Sequence, residues 1–173
     1  MTQLVELAKS GDKPAFDEII RMCTPDLFRI AVSILRNKDD ADDAVCETVV
    51  YAFEHLKTLK NSNYFKTWIT RILINQANTA YKKRKRIISF DEIKEPGYED
   101  NYDLGNNDLS AAVNRLSLEL RTVITLHYFQ DLRIKEIASV LRVPEGTVKW
   151  RMSKAKKILR HELENKEGLE NAY

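Results

Sequence analysis

The sequence is poor in residues that interrupt helices, with only 5 glycines and 4 prolines among 173 residues. So few interruptions favour long helices over many short strands. No apolar run approaches the roughly 18 residues that a membrane span requires. The N-terminus lacks a basic start followed by an apolar stretch, so we expect no secretory signal. We therefore expect a cytoplasmic protein that does not insert into a membrane.

Cysteine and histidine are also scarce, with two of the former and three of the latter. Without an export signal, Cys23 and Cys46 are expected to be reduced thiols rather than a disulfide. Their spacing, and that of the histidines, does not match a metal site. The sequence offers neither a glycine-rich phosphate loop nor a nucleophile–base arrangement. We therefore predict no catalytic residue, no metal and no cofactor, and a protein that is not an enzyme.

The net charge of +2 conceals an uneven distribution along the chain. Residues 1–86 carry 15 basic and 11 acidic side chains, residues 87–108 carry 1 and 7, and residues 109–173 carry 12 and 8. The acidic strip contains proline and glycine and has no helical or alternating period, which is typical of a linker. We predict an all-α protein with two small helical domains, 1–86 and 109–173, joined by a flexible acidic linker at 87–108.

Four helices are expected in the first domain. Asp12 is a candidate N-cap with Pro14 in the first turn, and Pro25 is expected to kink or restart this helix. Asn37 begins a turn and a third helix, whose apolar side chains run to Leu59. The fourth helix is expected over about 64–86.

The second domain is expected to be helical as well. One helix begins at Asp108 or Ser110, and Ser117 is a candidate cap for the next. Residues 134–152 then give a short helix, a tight turn and a longer helix, which is the pattern of a helix-turn-helix. Residues 164–173 are expected to be a frayed polar tail.

The last helix of this motif has two chemically different sides. At 100° per residue, one apolar stripe contains Val148, Met152, Ala155 and Leu159. Residues 149–160 carry six basic side chains and no acidic one. Such a helix suits the major groove of DNA, with its first turn at the base edges and its cations at phosphates. The alternative is a solvated basic face on an ordinary amphipathic helix.

Three segments resemble the C-terminal promoter-binding domain of extracytoplasmic-function sigma factors: Leu116-Ser-Leu-Glu-Leu-Arg, Ile134-Lys-Glu-Ile-Ala and Gly146-Thr-Val-Lys-Trp-Arg. In that family the domain binds the minus-thirty-five promoter element in the major groove. The resemblance implies that this element is contacted by Lys149, Trp150, Ser153, Lys154 and Lys157. The family often has Arg and Ser where this chain has Lys149 and Trp150, so the resemblance does not imply a particular promoter sequence.

The first domain also resembles this family, in Asp40-Ala-Asp-Asp-Ala-Val-Cys-Glu-Thr-Val and in Phe65-Lys-Thr-Trp-Ile-Thr-Arg-Ile-Leu-Ile-Asn. In the third helix, carboxylates surround an outward Val50, which suits a protein partner with a basic helix. By resemblance this surface binds the clamp helices of the largest RNA polymerase subunit. The residues expected there are Asp43, Cys46, Glu47 and Val50. Many members have Gln at the position of Cys46.

The fourth helix and the preceding loop resemble the segments that open and bind the minus-ten element. Amides and hydroxyls hydrogen-bond base edges, and cations bind phosphates. By resemblance, Asn75 and Thr79 line a pocket for a base rotated out of the duplex. Other expected contacts are Arg71, Lys82 and Lys83 on the helix and Asn61, Ser62 and Asn63 in the loop.

These features together predict an alternative sigma factor. It would bind RNA polymerase core at the clamp helices and at the flap of the second subunit, and direct promoter-specific initiation in a stress response. The resemblance also implies an anti-sigma factor, often one held at the membrane. Two alternatives stay open on the residues alone. One is a stand-alone helix-turn-helix regulator, and the other is an enzyme that uses the basic helices to bind nucleic acid.

Overall fold

The computed structural model describes residues 1–88 and 108–170, which are helical apart from short turns. The chain divides into two compact units, with four helices in each. The first unit contains α1 (Thr2–Lys9), α2 (Lys13–Leu35), α3 (Lys38–His55) and α4 (Phe65–Ile88). The second contains α5 (Asp108–Arg115), α6 (Leu118–Tyr128), α7 (Ile134–Leu141) and α8 (Glu145–Glu170). The all-α prediction is confirmed, whereas nearly all of the predicted linker lies outside the described residues.

Side-chain caps fix where two of the long helices begin. The Asp12 carboxylate accepts a hydrogen bond from the Ala15 N–H at 2.9 Å at the start of α2. The Asn37 side chain accepts one from the Asp40 N–H at 2.9 Å at the start of α3. Each cap satisfies a backbone donor that the first helical turn leaves free. The sequence predicted both starting points.

Helix α2 continues through Pro25 to Leu35, so the helix does not restart at this residue. A proline inside a helix costs about 3 kcal/mol relative to alanine. Burial of the apolar face on both sides of Pro25 offsets this cost, since each fully buried large side chain contributes about 1.5–3 kcal/mol. The buried side chains are Ile19, Cys23, Leu27, Ile30 and Ile34.

The connection between α3 and α4 differs from the prediction of one helix up to Leu59. The α-helix ends at His55, and a short 3₁₀ turn follows over Leu56–Thr58. Leu56 and Leu59 are buried although they lie beyond the end of α3, so the apolar pattern of the sequence extends further than the α-helix. A second 3₁₀ turn over Ser62–Tyr64 leads into α4. The connection is therefore a loop with a defined shape.

The second unit contains the predicted helix-turn-helix, formed by α7 and α8. The turn places Arg142 in the left-handed region at φ 54°, and the Val143 N–H donates to the Ala138 carbonyl at 3.1 Å. Arg121 of α6 is buried and donates to the Leu116 carbonyl in the turn between α5 and α6 at 2.9 Å. Helix α8 continues to Glu170, so it includes most of the segment expected to be a frayed tail, and residues 171–173 lie outside the described residues.

Replacing Asp12 tests the capping of α2. We expect Asp12→Ala to lower the free energy of unfolding by about 1 kcal/mol, because the Ala15 N–H loses its acceptor. Asp17→Ala removes an exposed carboxylate from the same helix and serves as the control. Urea denaturation followed by circular dichroism measures both changes. Equal effects of the two substitutions would contradict a capping role.

Candidate nucleic-acid and partner-binding surfaces

The apolar stripe predicted for α8 is buried. Val148 and Ala155 are fully enclosed, and Met152 and Leu159 are less than one-tenth exposed. These side chains attach α8 to α5, α6 and α7 within the second unit. Because the stripe occupies one side of the helix, the side chains on the opposite side must face solvent.

The five residues expected at the minus-thirty-five element are all exposed. They are Lys149, Trp150, Ser153, Lys154 and Lys157. The Trp150 side chain is 59% exposed, and the Lys154 ammonium lies 4.9 Å from its ring centroid. A cation at this distance attracts the π face of an indole. The pair therefore holds a large aromatic surface beside a positive charge at the solvent-facing side of α8.

Tyr128 adds an aromatic side chain that the sequence analysis did not select. It lies at the end of α6, is 54% exposed, and has the Lys156 ammonium 5.8 Å from its ring centroid. Periodicity within α8 alone gave no sign of it, since it comes from another helix. Lys156 of α8 thus lies beside an exposed aromatic ring at the end of α6.

Four residues of α3 form an exposed surface, hereafter the acidic face: Asp43, Cys46, Glu47 and Val50. Val50 is 58% exposed and lies among the carboxylates of this surface. Each of the four residues of the acidic face lies three or four positions from two of the others, so they are neighbours on one side of α3. The geometry brings the predicted set together.

Phe53 enlarges the acidic face by one helical turn, and the sequence analysis missed it. It follows Val50 by three residues and is 54% exposed. Its ring contacts the buried Phe16 edge-on, with centroids 5.2 Å apart. The sequence signal was an aromatic residue at the edge of the apolar stripe of α3. The Phe53 ring therefore packs against Phe16 and still exposes about half of its surface to solvent.

The two cysteines differ sharply in environment. Cys46 lies exposed in the acidic face, while Cys23 is buried in α2. Burial raises the pKa of the Cys23 thiol, and the nearby Lys66 offsets this only in part. The thiolate is the reactive form of cysteine. Burial therefore protects Cys23 from reaction at neutral pH in two ways, by blocking access to the thiol and by raising its pKa. They are both free thiols, as predicted.

The predicted minus-ten residues of α4 follow one another along the helix. Asn75 and Thr79 are exposed, and Arg71 is half-buried one turn earlier. The Thr79 hydroxyl donates to the Asn75 carbonyl at 2.9 Å, which leaves the Asn75 side-chain amide uncommitted by that bond. Amide and hydroxyl groups therefore lie in line on one side of α4.

The cations near the end of α4 differ in their surroundings. Lys82 and Lys83 are exposed. Arg84 instead forms an ion pair with Asp40 at 2.9 Å, which joins the end of α4 to the first turn of α3. Of these three cations, the two lysines are the ones presented to solvent.

The loop before α4 requires one correction. Asn61 and Asn63 are exposed as expected, but Ser62 is buried. Its hydroxyl donates to the Glu6 carboxylate of α1, so it faces the protein and is not available to a ligand. This hydrogen bond is the largest influence on the pKa of Glu6, which lies below its ordinary value. Lys9 lowers that pKa further, and desolvation opposes both.

Two family models match the chain on the two units separately. Sigma-70 region 2 matches residues 19–87, and sigma-70 region 4 matches residues 106–159. The chain is 34% identical over 142 residues to the RNA polymerase sigma factor SigV of Bacillus subtilis, a match that covers 80% of this chain and 84% of the relative. The chain belongs to the sigma-70 family.

Further relatives place this sigma factor in the extracytoplasmic-function branch. It is 26% identical over 176 residues to the ECF RNA polymerase sigma factor SigW of Bacillus subtilis, covering 92% of this chain and 94% of that one. The sigma factor RpoE of Bartonella quintana, solved in complex with the anti-sigma factor NepR, is 25% identical with a TM-score of 0.72. That match covers 86% of this chain and 96% of the other.

The comparisons confirm the predicted function at the level of the whole protein. This chain is an alternative sigma factor, which directs promoter-specific initiation of transcription. The region 2 match includes α3 and nearly all of α4, and the region 4 match includes α8 as far as Leu159. Within residues 1–88 and 108–170, no helix has the length and apolar character needed to cross a membrane.

The different environments of the two thiols can be tested with Ellman's reagent. In the native sigma factor we expect one thiol to react at once, and the second to react only as the protein unfolds, because Cys23 is enclosed. The Cys46→Ser variant should lack the fast phase and keep the slow one. Two fast phases in the native wild-type protein would contradict the burial of Cys23.

Proposed function

We propose that the acidic face of α3 binds the clamp helices of the largest RNA polymerase subunit. Two exposed carboxylates, Asp43 and Glu47, lie beside the exposed apolar side chain of Val50. An apolar centre with charges around it is the common composition of a protein interface. The negative charge would attract a basic partner and orient it before contact.

We propose that α4 and its preceding loop bind the opened minus-ten element. Asn75 and Thr79 would contact an extruded base, with Arg71, Asn61 and Asn63 nearby. Lys82 and Lys83 would bind phosphates, since exposed lysines neutralise the backbone without dependence on sequence. Extruding a base costs a few kcal/mol, and binding of the separated strand has to offset that cost.

We propose that α8 binds the minus-thirty-five element in the major groove. Lys149 and Trp150 lie in its N-terminal half, where a recognition helix contacts base edges. Ser153, Lys154 and Lys157 follow on the exposed side and would reach base edges or phosphates. The bulk of Trp150, where the family often has Ser, supports a promoter preference of its own.

One observation carries the proposal: an exposed acidic and apolar face on one unit accompanies an exposed basic helix on the other. A stand-alone regulator has no use for the first surface, whereas a sigma factor needs both. These roles require binding alone, so we infer that the chain has no catalytic activity. We also infer that it works in the cytoplasm, responds to stress and is held inactive by an anti-sigma factor, as the RpoE–NepR complex suggests.

Charge reversal on the acidic face tests the polymerase contact. We expect Asp43→Arg combined with Glu47→Arg to weaken binding to core polymerase about 10-fold or more, because like charges would then meet. Asp17→Arg with Glu18→Arg makes the same charge change on α2 and should have little effect. Fluorescence titration with labelled sigma factor measures both affinities. Unchanged core affinity in the first variant would remove the acidic face from the proposal.

Removing one lysine from α8 tests the DNA contact. We expect Lys149→Ala holoenzyme to bind promoter duplex more weakly, with the slope of log affinity against log salt reduced by about 0.9 if a phosphate contact is lost. Core binding should not change. Lys13→Ala, in the other unit, is the control. If Lys149→Ala affected core and promoter binding equally, the variant would be damaging the fold.

A further inference from the structure

Helix α1 holds the loop before α4 at two points. The buried Ser62 hydroxyl donates to the Glu6 carboxylate, and the Thr2 hydroxyl donates to the Asn63 side-chain oxygen at 3.0 Å. The residues joined are 56 and 61 positions apart in the chain. These contacts are therefore tertiary and do not follow from the local sequence of the loop.

Hydrogen bonds to Asn61 and Asn63 determine which polar groups of these side chains remain available to a ligand. The Asn61 side-chain oxygen accepts from the Asn63 N–H at 2.9 Å, and the Asn63 side-chain oxygen accepts from Thr2. Each amide oxygen therefore has one of its two acceptor positions occupied within the protein. The N–H₂ groups of both exposed side chains remain as donors. A base against this loop would meet donors and would be favoured if its edge offered acceptors.

We propose that Thr2 and Glu6 of α1 are positioning residues that set base selectivity at the minus-ten element. They touch no DNA in this account. Glu6 fixes the shape of the loop through Ser62, and Thr2 determines through Asn63 which group of that amide faces the strand. This inference depends on the proposed contact between the loop and the opened strand.

The Thr2–Asn63 bond suits a role in positioning better than one in global stability. Thr2 and Asn63 are exposed, and solvent-exposed polar contacts contribute little to the free energy of unfolding. A short loop nevertheless opens locally at far lower cost than the whole domain, so a few bonds can decide its conformation. In Thr2→Val, loss of selectivity should therefore occur without a matching loss of stability.

The experiment measures binding of reconstituted holoenzyme to promoter fork DNA. Four probes carry A, C, G or T at each minus-ten position of the exposed strand in turn. We expect Thr2→Val and Glu6→Ala to reduce the ratio between the best and worst base by about 3- to 10-fold at one position, within the usual range for coupled residues. Affinities for core polymerase and for minus-thirty-five duplex should stay unchanged.

Matched variants separate positioning from general damage. Glu6→Gln keeps an oxygen that accepts from Ser62 and should restore selectivity, while Glu18→Ala removes a carboxylate on α2 and should have no effect. Glu6→Ala, Ser62→Ala and the double variant should have the same effect on selectivity, because all three remove one bond. Thr2→Val alters an exposed side chain and keeps the test valid if Glu6→Ala folds poorly.

Two results would overturn the inference. One is unchanged selectivity in both Thr2→Val and Glu6→Ala. The other is weaker holoenzyme binding to all four probes by the same factor, in proportion to the fall in the melting temperature of the variant. Asn61→Ala distinguishes this failure from that of the proposed function. If Asn61→Ala alters selectivity and the α1 variants do not, only the inference fails. If Asn61→Ala also has no effect, the proposed contact between loop and strand fails with it.

Discussion

Burial of a single apolar stripe on each helix is the constraint on which the proposed functional surfaces depend. In α8, enclosure of Val148, Met152, Ala155 and Leu159 leaves the basic side facing solvent. In α3, enclosure of Ala41, Ala44, Val45 and Ala52 leaves the carboxylates and Val50 outside. Because helical geometry fixes the angle between residues, the core determines which side chains a partner meets. Core packing and partner recognition are thus two consequences of one sequence pattern.

The charge of each exposed helix surface then determines which kind of partner it attracts. The outward surface of α3 is acidic and that of α8 is basic, although the whole chain carries a net charge of only +2. Basic surfaces attract DNA, and the acidic one is repelled by it and left for a protein. Arg84 shows how local the division is: it pairs with Asp40, whereas its neighbours Lys82 and Lys83 face solvent. The unequal arrangement of charge matters more than its total.

Local signals were sufficient to predict the helix starts at Asp12 and Asn37, the helix-turn-helix and the buried stripe of α8. Each depends on residues within one or two helical turns. Local sequence is insufficient where residues distant in the chain determine the structure. Core packing on both sides carries α2 through Pro25, and Glu6, 56 positions away, turns Ser62 inward. The exposed Phe53 and Tyr128 were also missed, since their exposure depends on neighbouring helices.

In-vitro transcription with purified core polymerase and a random promoter library measures whether this sigma factor directs initiation. We expect start-site-specific RNA only when this chain is added. The selected promoters should share two conserved elements, one for each unit. RNA synthesis that does not respond to the chain, or a library without any shared element, would contradict the account.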